Sequence, residues 1–240
     1  MVKNAKDVKD LTKVSFSFIP SLKCNNRCPF CMYGASPENT TKLDYEAVKV
    51  WLKTVQWDKV IGWGLYGGEP SIEMGLYQKF YELLPTDLPK FIITNGAWSK
   101  SNDDTKAWLN WCAGKFHIIV SGTAEHRKHQ RVSFIKELAK QFDGAFTIKG
   151  DEEMHPMGRL ARANWDCSKK CIYHKQPIRL GIFPTGHIIL QNCDGVYPVV
   201  GHISRTTFVK AFNEGVRVRT RGCNKGCVLN INDLVSQLEQ

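Results

Sequence analysis

Three cysteines lie close together near the start of the chain, in the segment CNNRCPFC. Three residues separate Cys24 from Cys28, and two separate Cys28 from Cys31. This spacing allows one short loop to direct all three thiols inward. Thiolates are soft ligands that select iron–sulfur clusters or zinc over hard cations. A cubane cluster has four irons, so three cysteines leave one iron open for a ligand that is not protein.

A structural zinc loop is the alternative to a cluster at these cysteines. Such a loop needs a fourth ligand nearby. Neither His nor Cys follows Cys31 until Cys112, which the helical pattern around it predicts to be a buried core thiol. The three-cysteine loop therefore favours a cluster.

The CxxxCxxC spacing resembles the signature of the radical S-adenosylmethionine (radical SAM) enzymes. That family favours an aromatic residue before the last cysteine, and Phe30 stands there. The resemblance implies a [4Fe–4S] cluster whose open iron is chelated by the amino and carboxylate groups of SAM. It further implies that an electron from the cluster splits the sulfonium to give a 5′-deoxyadenosyl radical.

A second motif, Gly67-Gly68-Glu69-Pro70, ends the second predicted strand. Glycine permits a close backbone approach to a ligand, and carbonyls with one carboxylate can accept from an ammonium group. The motif resembles the family's GGEP, which holds the methionine amine of SAM. As an isolated motif it would predict only a strand-to-helix turn.

Weaker resemblances follow at later strand ends. Thr94 and Asn95 end the third predicted strand where the family often has a turn that lines the pocket. Ser121 ends the fourth, where the family commonly places a contact to the ribose or carboxylate of SAM. Ile148 stands in a stretch similar to the family's GxIxGxxE, in which the isoleucine packs on adenine. Phe146 replaces the first glycine of that stretch.

A second set of cysteines follows in the last third of the chain. Their order around a predicted hairpin resembles the SPASM/twitch domain of radical SAM enzymes, which implies an auxiliary [4Fe–4S] cluster. The implied ligands are Cys171, Cys193, Cys223 and Cys227. Cys167 lies four residues before Cys171 and could replace it. A structural zinc site of four cysteines is the alternative.

Composition limits the class of protein. Of the 240 residues 42% are hydrophobic, which indicates a globular chain, and no apolar run is long enough to span a membrane. Nine cysteines behind an N-terminus that lacks the apolar centre of a signal peptide indicate metal binding in a reducing cytoplasm. The 33 Lys and Arg against 23 Asp and Glu give a net charge of +10, which favours an anionic partner.

Strand and helix patterns alternate over the first 150 residues. Strands are predicted at residues 13–18, 60–66, 90–94, 116–121 and 145–149, with helices between them. Such alternation implies parallel pairing through right-handed crossovers. The resemblance implies an α/β fold, a partial (β/α)6 TIM-type barrel, over residues 1–155. Residues 156–240 are then a small C-terminal β-hairpin and helix extension for the auxiliary cluster.

Two basic stretches could bind phosphates. Residues 126–131 (HRKHQR) follow the fourth strand, and the alternating Arg217, Arg219 and Arg221 would share one face of an extended segment. A solvated basic face is the alternative.

The substrate is not fixed by the sequence. A nucleoside or nucleotide, a nucleic-acid base and an amino sugar remain candidates, as does a peptide modified in the manner of SPASM maturases. A zinc-stapled nucleic-acid-binding protein is the non-enzymatic alternative. The resemblance also implies an external electron donor of the flavodoxin or ferredoxin type.

Overall fold

The computed structural model describes residues 12–142, 144–150, 177–191 and 198–220. In these ranges eight strands form one sheet, against which the helices pack. The strands are β1 (Val14–Phe18), β2 (Val60–Leu65), β3 (Lys90–Thr94), β4 (His117–Ser121), β5 (Phe146–Lys149), β6 (Ile178–Ile182), β7 (His187–Leu190) and β8 (Val199–His202). The helices are α1 (Tyr45–Leu52), α2 (Met74–Glu82), α3 (Asn102–Cys112), α4 (Ala124–Arg127), α5 (Val132–Gln141) and α6 (Phe208–Thr220).

The sheet is open and has the order β5-β4-β3-β2-β1-β6-β7-β8. Strands β5 to β6 in this order are all parallel, whereas β7 and β8 are antiparallel additions. Parallel strands end at one edge of the sheet, so the loops that follow β1 to β5 meet there. The predicted α/β fold with six parallel strands is confirmed.

The sixth parallel strand comes from the segment that the sequence assigns to the C-terminal extension. Strand β6 pairs with β1 over its whole length, from Val14 opposite Ile178 to Phe18 opposite Ile182. The predicted hairpin β6–β7 is therefore continuous with the sheet of the core. Whether a domain boundary falls at residue 155 stays a prediction, because residues 151–176 lie outside the described ranges.

Aromatic packing fixes the helices to the centre of the sheet. The ring of Phe16 on β1 meets Trp51 of α1 edge-on at 5.7 Å between centroids, and Phe208 of α6 at 5.9 Å. The indole N–H of Trp51 also donates to the carbonyl of Thr206 at 2.8 Å. Burying such rings contributes on the order of 2 kcal/mol per side chain. Helix α6 is thus part of the core.

Capping residues determine where two of the helices begin. Asp44, a residue type that often caps helices, caps α1, since its carboxylate accepts from the amide of Ala47 at 3.0 Å. Ser101 caps α3 in the same way.

The predicted burial of Cys112 in the core is confirmed. In the described part of the chain, no helix has the length and apolar character needed to cross a membrane.

The prediction of an arginine face on an extended segment is wrong. Arg217 lies within α6 and pairs with Glu214 on the same helix. Positions two residues apart on an α-helix are about 200° apart around its axis, so they do not share a face. Arg221 lies outside the described residues, as does a helix that the sequence predicts at 231–240. Arginines at every second position of the sequence could not by themselves distinguish a strand from a helix.

Candidate functional site

The loops at the carboxyl ends of the parallel strands surround one cavity of about 540 Å³. This volume lies within the range of about 300–1,000 Å³ that is typical of small-molecule sites. Nine of the residues that the sequence singles out line it: Cys24, Cys28, Phe30, Cys31, Gly67, Gly68, Thr94, Asn95 and Ser121. Segments far apart in the sequence therefore meet at a single site.

The cysteine loop is closed by hydrogen bonds of its own backbone. The amide of Cys24 donates to the carbonyl of Ser36 at 3.1 Å, and the amide of Cys31 donates to that of Cys28 at 3.1 Å. The second bond makes a tight turn between two of the thiols. The sulfur of Cys24 also accepts from the amide of Asn26 at 3.4 Å. These bonds hold the three cysteines on the wall of the cavity.

The residues at this loop fit an iron–sulfur cluster. Three thiols line the cavity together with Asn26, which is 4% exposed. Neither amide atom of Asn26 has a hydrogen-bond partner in the described part of the chain. A buried polar group without a partner costs about 1–3 kcal/mol, so this side chain suits a polar ligand in the cavity.

The thiol chemistry of this loop suits an iron–sulfur cluster, because thiolates are soft ligands. Among the described residues, no three His, Cys, Asp or Glu side chains converge on a single metal ion. Burial raises the pKa of the Cys24 thiol to about 12, against the lowering effect of the Asn26 amide. A metal bound at this sulfur would favour the thiolate, because metal ligation requires a deprotonated cysteine.

The two glycines of the GGEP turn allow it to contact the segment that leads into the cysteine loop. The amide of Gly68 donates to the carbonyl of Ser21 at 2.9 Å, and the amide of Glu69 donates to that of Lys23 at 2.9 Å. A Cβ on Gly68 would lie 1.7 Å from the Lys23 carbonyl oxygen, and Gly67 has a φ of 128°. Only glycine fits this contact.

Glu69 lies beneath the cavity and is not among its lining residues. It is 1% exposed. One carboxylate oxygen accepts from the hydroxyls of Ser71 at 2.7 Å and Thr94 at 2.8 Å, and the other accepts from the amide of Asn95 at 2.6 Å. Burial raises the pKa of Glu69, while these hydrogen bonds lower it. Its carboxylate therefore holds the end of β3 in position, and a contact to SAM remains a prediction.

Two other sequence candidates lie away from the cavity wall. Pro70 is buried at the start of a short 3₁₀ helix, Pro70–Glu73. Ile148 packs against the core, and its neighbour Lys149 lines the cavity from β5 instead. All five cysteines of the second set, Cys167, Cys171, Cys193, Cys223 and Cys227, lie outside the described residues.

The structure adds residues that the motifs did not indicate. His126 lies with Nε2 3.5 Å from the sulfur of Cys28, and its Nδ1 is 2.7 Å from the hydroxyl of Thr123. The sequence identified His126 only as part of a basic stretch. Arg179, Gln191 and Tyr33 also line the cavity. The sequence did contain a signal that could have identified Arg179, because this residue is a single charge between the apolar Ile178 and Leu180 of one strand.

We expect the change Glu69→Gln to weaken SAM binding by about tenfold while cluster content stays unchanged. A glutamine has only one acceptor oxygen, so its NH₂ group must face the Asn95 amide or the Thr94 hydroxyl and leave that donor unpaired. Calorimetric titration with SAM and iron analysis measure the two quantities. Glu73→Gln is the control, since Glu73 pairs with Lys42 away from the cavity. Unchanged SAM affinity in Glu69→Gln would contradict this role.

Comparison with known proteins supports the fold. Neither a family model nor a curated protein sequence matches the chain. Among solved structures, BtrN in complex with AdoMet and 2-DOIA is 16% identical over 86% of this chain and 85% of that chain, with a TM-score of 0.58. Native anSMEcpe with bound AdoMet and the Cp18Cys peptide is 13% identical over 89% and 85%, with a TM-score of 0.57. This chain shares with both an α/β fold built on an open sheet, a partial barrel.

Proposed function

We propose that the protein is a radical SAM enzyme. The observation that carries this proposal is that the three thiols of CxxxCxxC line one cavity with Gly67 and Gly68 of the GGEP turn. When bound, a [4Fe–4S] cluster and SAM would supply an electron and a 5′-deoxyadenosyl radical that abstracts hydrogen from the substrate. Cys24, Cys28 and Cys31 are the cluster ligands in this proposal, and their number leaves one iron for SAM.

The remaining wall of the cavity suits the exclusion of water. Phe91 and Ile93 from β3 and Ile119 from β4 line it with apolar side chains. Asn95 and Ser121 line the cavity at the ends of β3 and β4. In this proposal they contact SAM. The protein would therefore position the reacting groups, while the cofactor supplies the difficult chemistry.

An auxiliary [4Fe–4S] cluster completes the proposal. Its ligands are Cys171, Cys193, Cys223 and Cys227, and four thiolates suffice for a cubane with no open iron. Such a cluster could pass an electron to or from the substrate radical, which permits either oxidation or rearrangement. Reduction of the clusters would require an external donor of the flavodoxin or ferredoxin type in the cytoplasm.

Similarity to solved structures does not select the substrate. BtrN holds 2-DOIA, whereas anSMEcpe holds a peptide. This chain matches 85% of each of them, so the extent of the match favours neither ligand. Function is a property of the site and not of the fold. A small polar metabolite such as an amino sugar or nucleoside, a nucleic-acid base, and a peptide remain candidates. The net charge of +10 favours an anionic substrate.

Anaerobic reconstitution tests the proposed function. We expect a brown protein with about eight irons per chain, equivalent to two cubane clusters. With dithionite it should convert SAM to 5′-deoxyadenosine, which chromatography detects. Protein prepared without oxygen that contains zinc and no iron would instead support the zinc-stapled nucleic-acid-binding alternative. In that case retention on DNA or RNA should fall steeply with salt.

A further inference from the structure

Strands β6 and β7 contribute a polar wall to the cavity. Arg179 of β6 and Gln191, directly after β7, are neighbours, because the amide of Gln191 donates to the carbonyl of Arg179 at 2.8 Å. Both side chains line the cavity. Ile178 and Leu180 are completely buried on the opposite face of the same strand. Arg179 therefore faces the cavity because side chains alternate along a strand.

Tyr33 lies beside these two residues and is 8% exposed. Its hydroxyl oxygen accepts from the side-chain amide of Gln191 at 3.4 Å. A phenol has one hydrogen to donate. Among the described residues nothing accepts that hydrogen, so the bond from Gln191 leaves the O–H of Tyr33 available to a ligand in the cavity.

The charge of Arg179 is not balanced within the cavity. No Asp or Glu belongs to its described lining, and no described carboxylate forms an ion pair with Arg179. Glu69, which is buried beneath the cavity, already accepts hydrogen bonds from Thr94 and Asn95 at the end of β3. A guanidinium fork is suited to two oxygens of a carboxylate or a phosphate.

This wall lies apart from the side of the cavity assigned to SAM. Strand β6 is on one side of β1, whereas β2, β3 and β4 follow one another on the other side. The GGEP turn, Thr94 and Ser121 all belong to that second group of strands. A molecule held by Arg179 would thus be a second occupant of the same cavity.

We propose that Arg179 and Tyr33 form a subsite for an oxyanion of the substrate, a carboxylate or a phosphate, with Gln191 orienting the phenol. The subsite rests on the proposed function in that its ligand is the molecule from which hydrogen is abstracted. The proposed subsite predicts that the substrate carries a carboxylate or a phosphate. Separate titrations with acetate and with inorganic phosphate distinguish these two groups.

The test uses the full chain, reconstituted without oxygen and saturated with SAM. Inorganic phosphate and acetate are titrated separately by calorimetry, with ionic strength held constant by potassium chloride. We expect one of the two to bind, and Arg179→Met to weaken it by at least about tenfold. Tyr33→Phe should weaken it by about fivefold while its ring still packs against Phe183.

Lys149→Met is the matched control, because Lys149 is a cation that lines the same cavity from β5. We expect it to change the affinity for the anion less than about twofold, since screening weakens a charge that makes no direct contact. SAM affinity should be unchanged in Arg179→Met. Failure of both anions to bind the unmodified protein would overturn the subsite, as would equal losses in Arg179→Met and Lys149→Met. If SAM affinity falls in Arg179→Met, the residue contacts SAM and the subsite is also wrong.

Failure of the subsite and failure of the proposed function give different results. A protein that cleaves SAM but shows no dependence of anion binding on Arg179 retains the proposed function and loses the subsite. A protein that binds the anion through Arg179 but neither binds nor cleaves SAM retains the anion site and loses the radical SAM assignment. The two measurements are made on the same preparation.

Discussion

A variant with Cys24, Cys28 and Cys31 all changed to alanine should produce no detectable 5′-deoxyadenosine. It should keep about half of the iron, falling from about eight to about four atoms per chain, because only the proposed auxiliary cluster remains. These three thiols are the cysteine sulfurs that line the described cavity. Under the proposed function, SAM is activated only through the iron that they would hold. Iron analysis, electron paramagnetic resonance and chromatography of the SAM products check the two parts of this prediction.

Cys112→Ala is the control for the triple cysteine variant. Cys112 is completely buried in the core at the end of α3 and does not line the cavity. Its removal should cost on the order of 1 kcal/mol of stability, as expected when a small buried group is deleted, with iron content and SAM cleavage unchanged. A triple variant that still cleaves SAM would show that the cluster is held elsewhere. A loss of iron in Cys112→Ala would show that iron content reports folding and not ligation.

The central strands and the turns at their ends could be predicted because their signals are local. Alternating residues in β1 and short apolar runs in β2 to β5 marked these strands to within two residues, and Asp44 marked the start of α1. The sixth strand could not be placed in this way. Its five-residue pattern fits a hairpin as well as a parallel strand, and its pairing with β1 joins segments about 160 residues apart. Only the three-dimensional structure shows which edge of the sheet a strand extends.

The site was predictable in its cysteines and glycines and not in its supporting contacts. The motif placed Glu69 at a strand end, but burial and the donors from Thr94 and Asn95 depend on how β2 and β3 pack. In the same way, Tyr33 meets Gln191 only because β7 joins the sheet through β6 and β1. Residue type in a motif indicates which chemistry is available. Which atom faces the ligand is decided by contacts between distant segments.

The change Gly68→Ala should disrupt the cavity more than any other single methyl group added to its wall. The new Cβ would meet the carbonyl oxygen of Lys23 at 1.7 Å, and both are backbone-bound atoms that no side-chain rotation can separate. Relief requires the GGEP turn to move away from the segment before Cys24. That movement breaks the bond from the Gly68 amide to the Ser21 carbonyl and the bond from the Glu69 amide to the Lys23 carbonyl.

We therefore expect Gly68→Ala to lower the free energy of unfolding by about 3 kcal/mol, the combined order of an overpacked contact and two lost hydrogen bonds. SAM affinity should fall by more than about tenfold, because the cysteine loop and the GGEP turn would no longer be held in a fixed position relative to each other. Chemical denaturation and calorimetric titration with SAM measure these two effects.

Gly75→Ala is the matched control for this variant. Gly75 lies in the first turn of α2, and a Cβ there meets no heavy atom within 4 Å. Alanine has the higher helix propensity, so this change should stabilise the protein by up to about 1 kcal/mol and leave SAM affinity unchanged. If Gly68→Ala were as stable as Gly75→Ala and bound SAM equally well, the contact between the GGEP turn and the cysteine loop would not be needed for the site. The opposite result would show that Gly68 serves to join the two motifs and not only to admit the ligand.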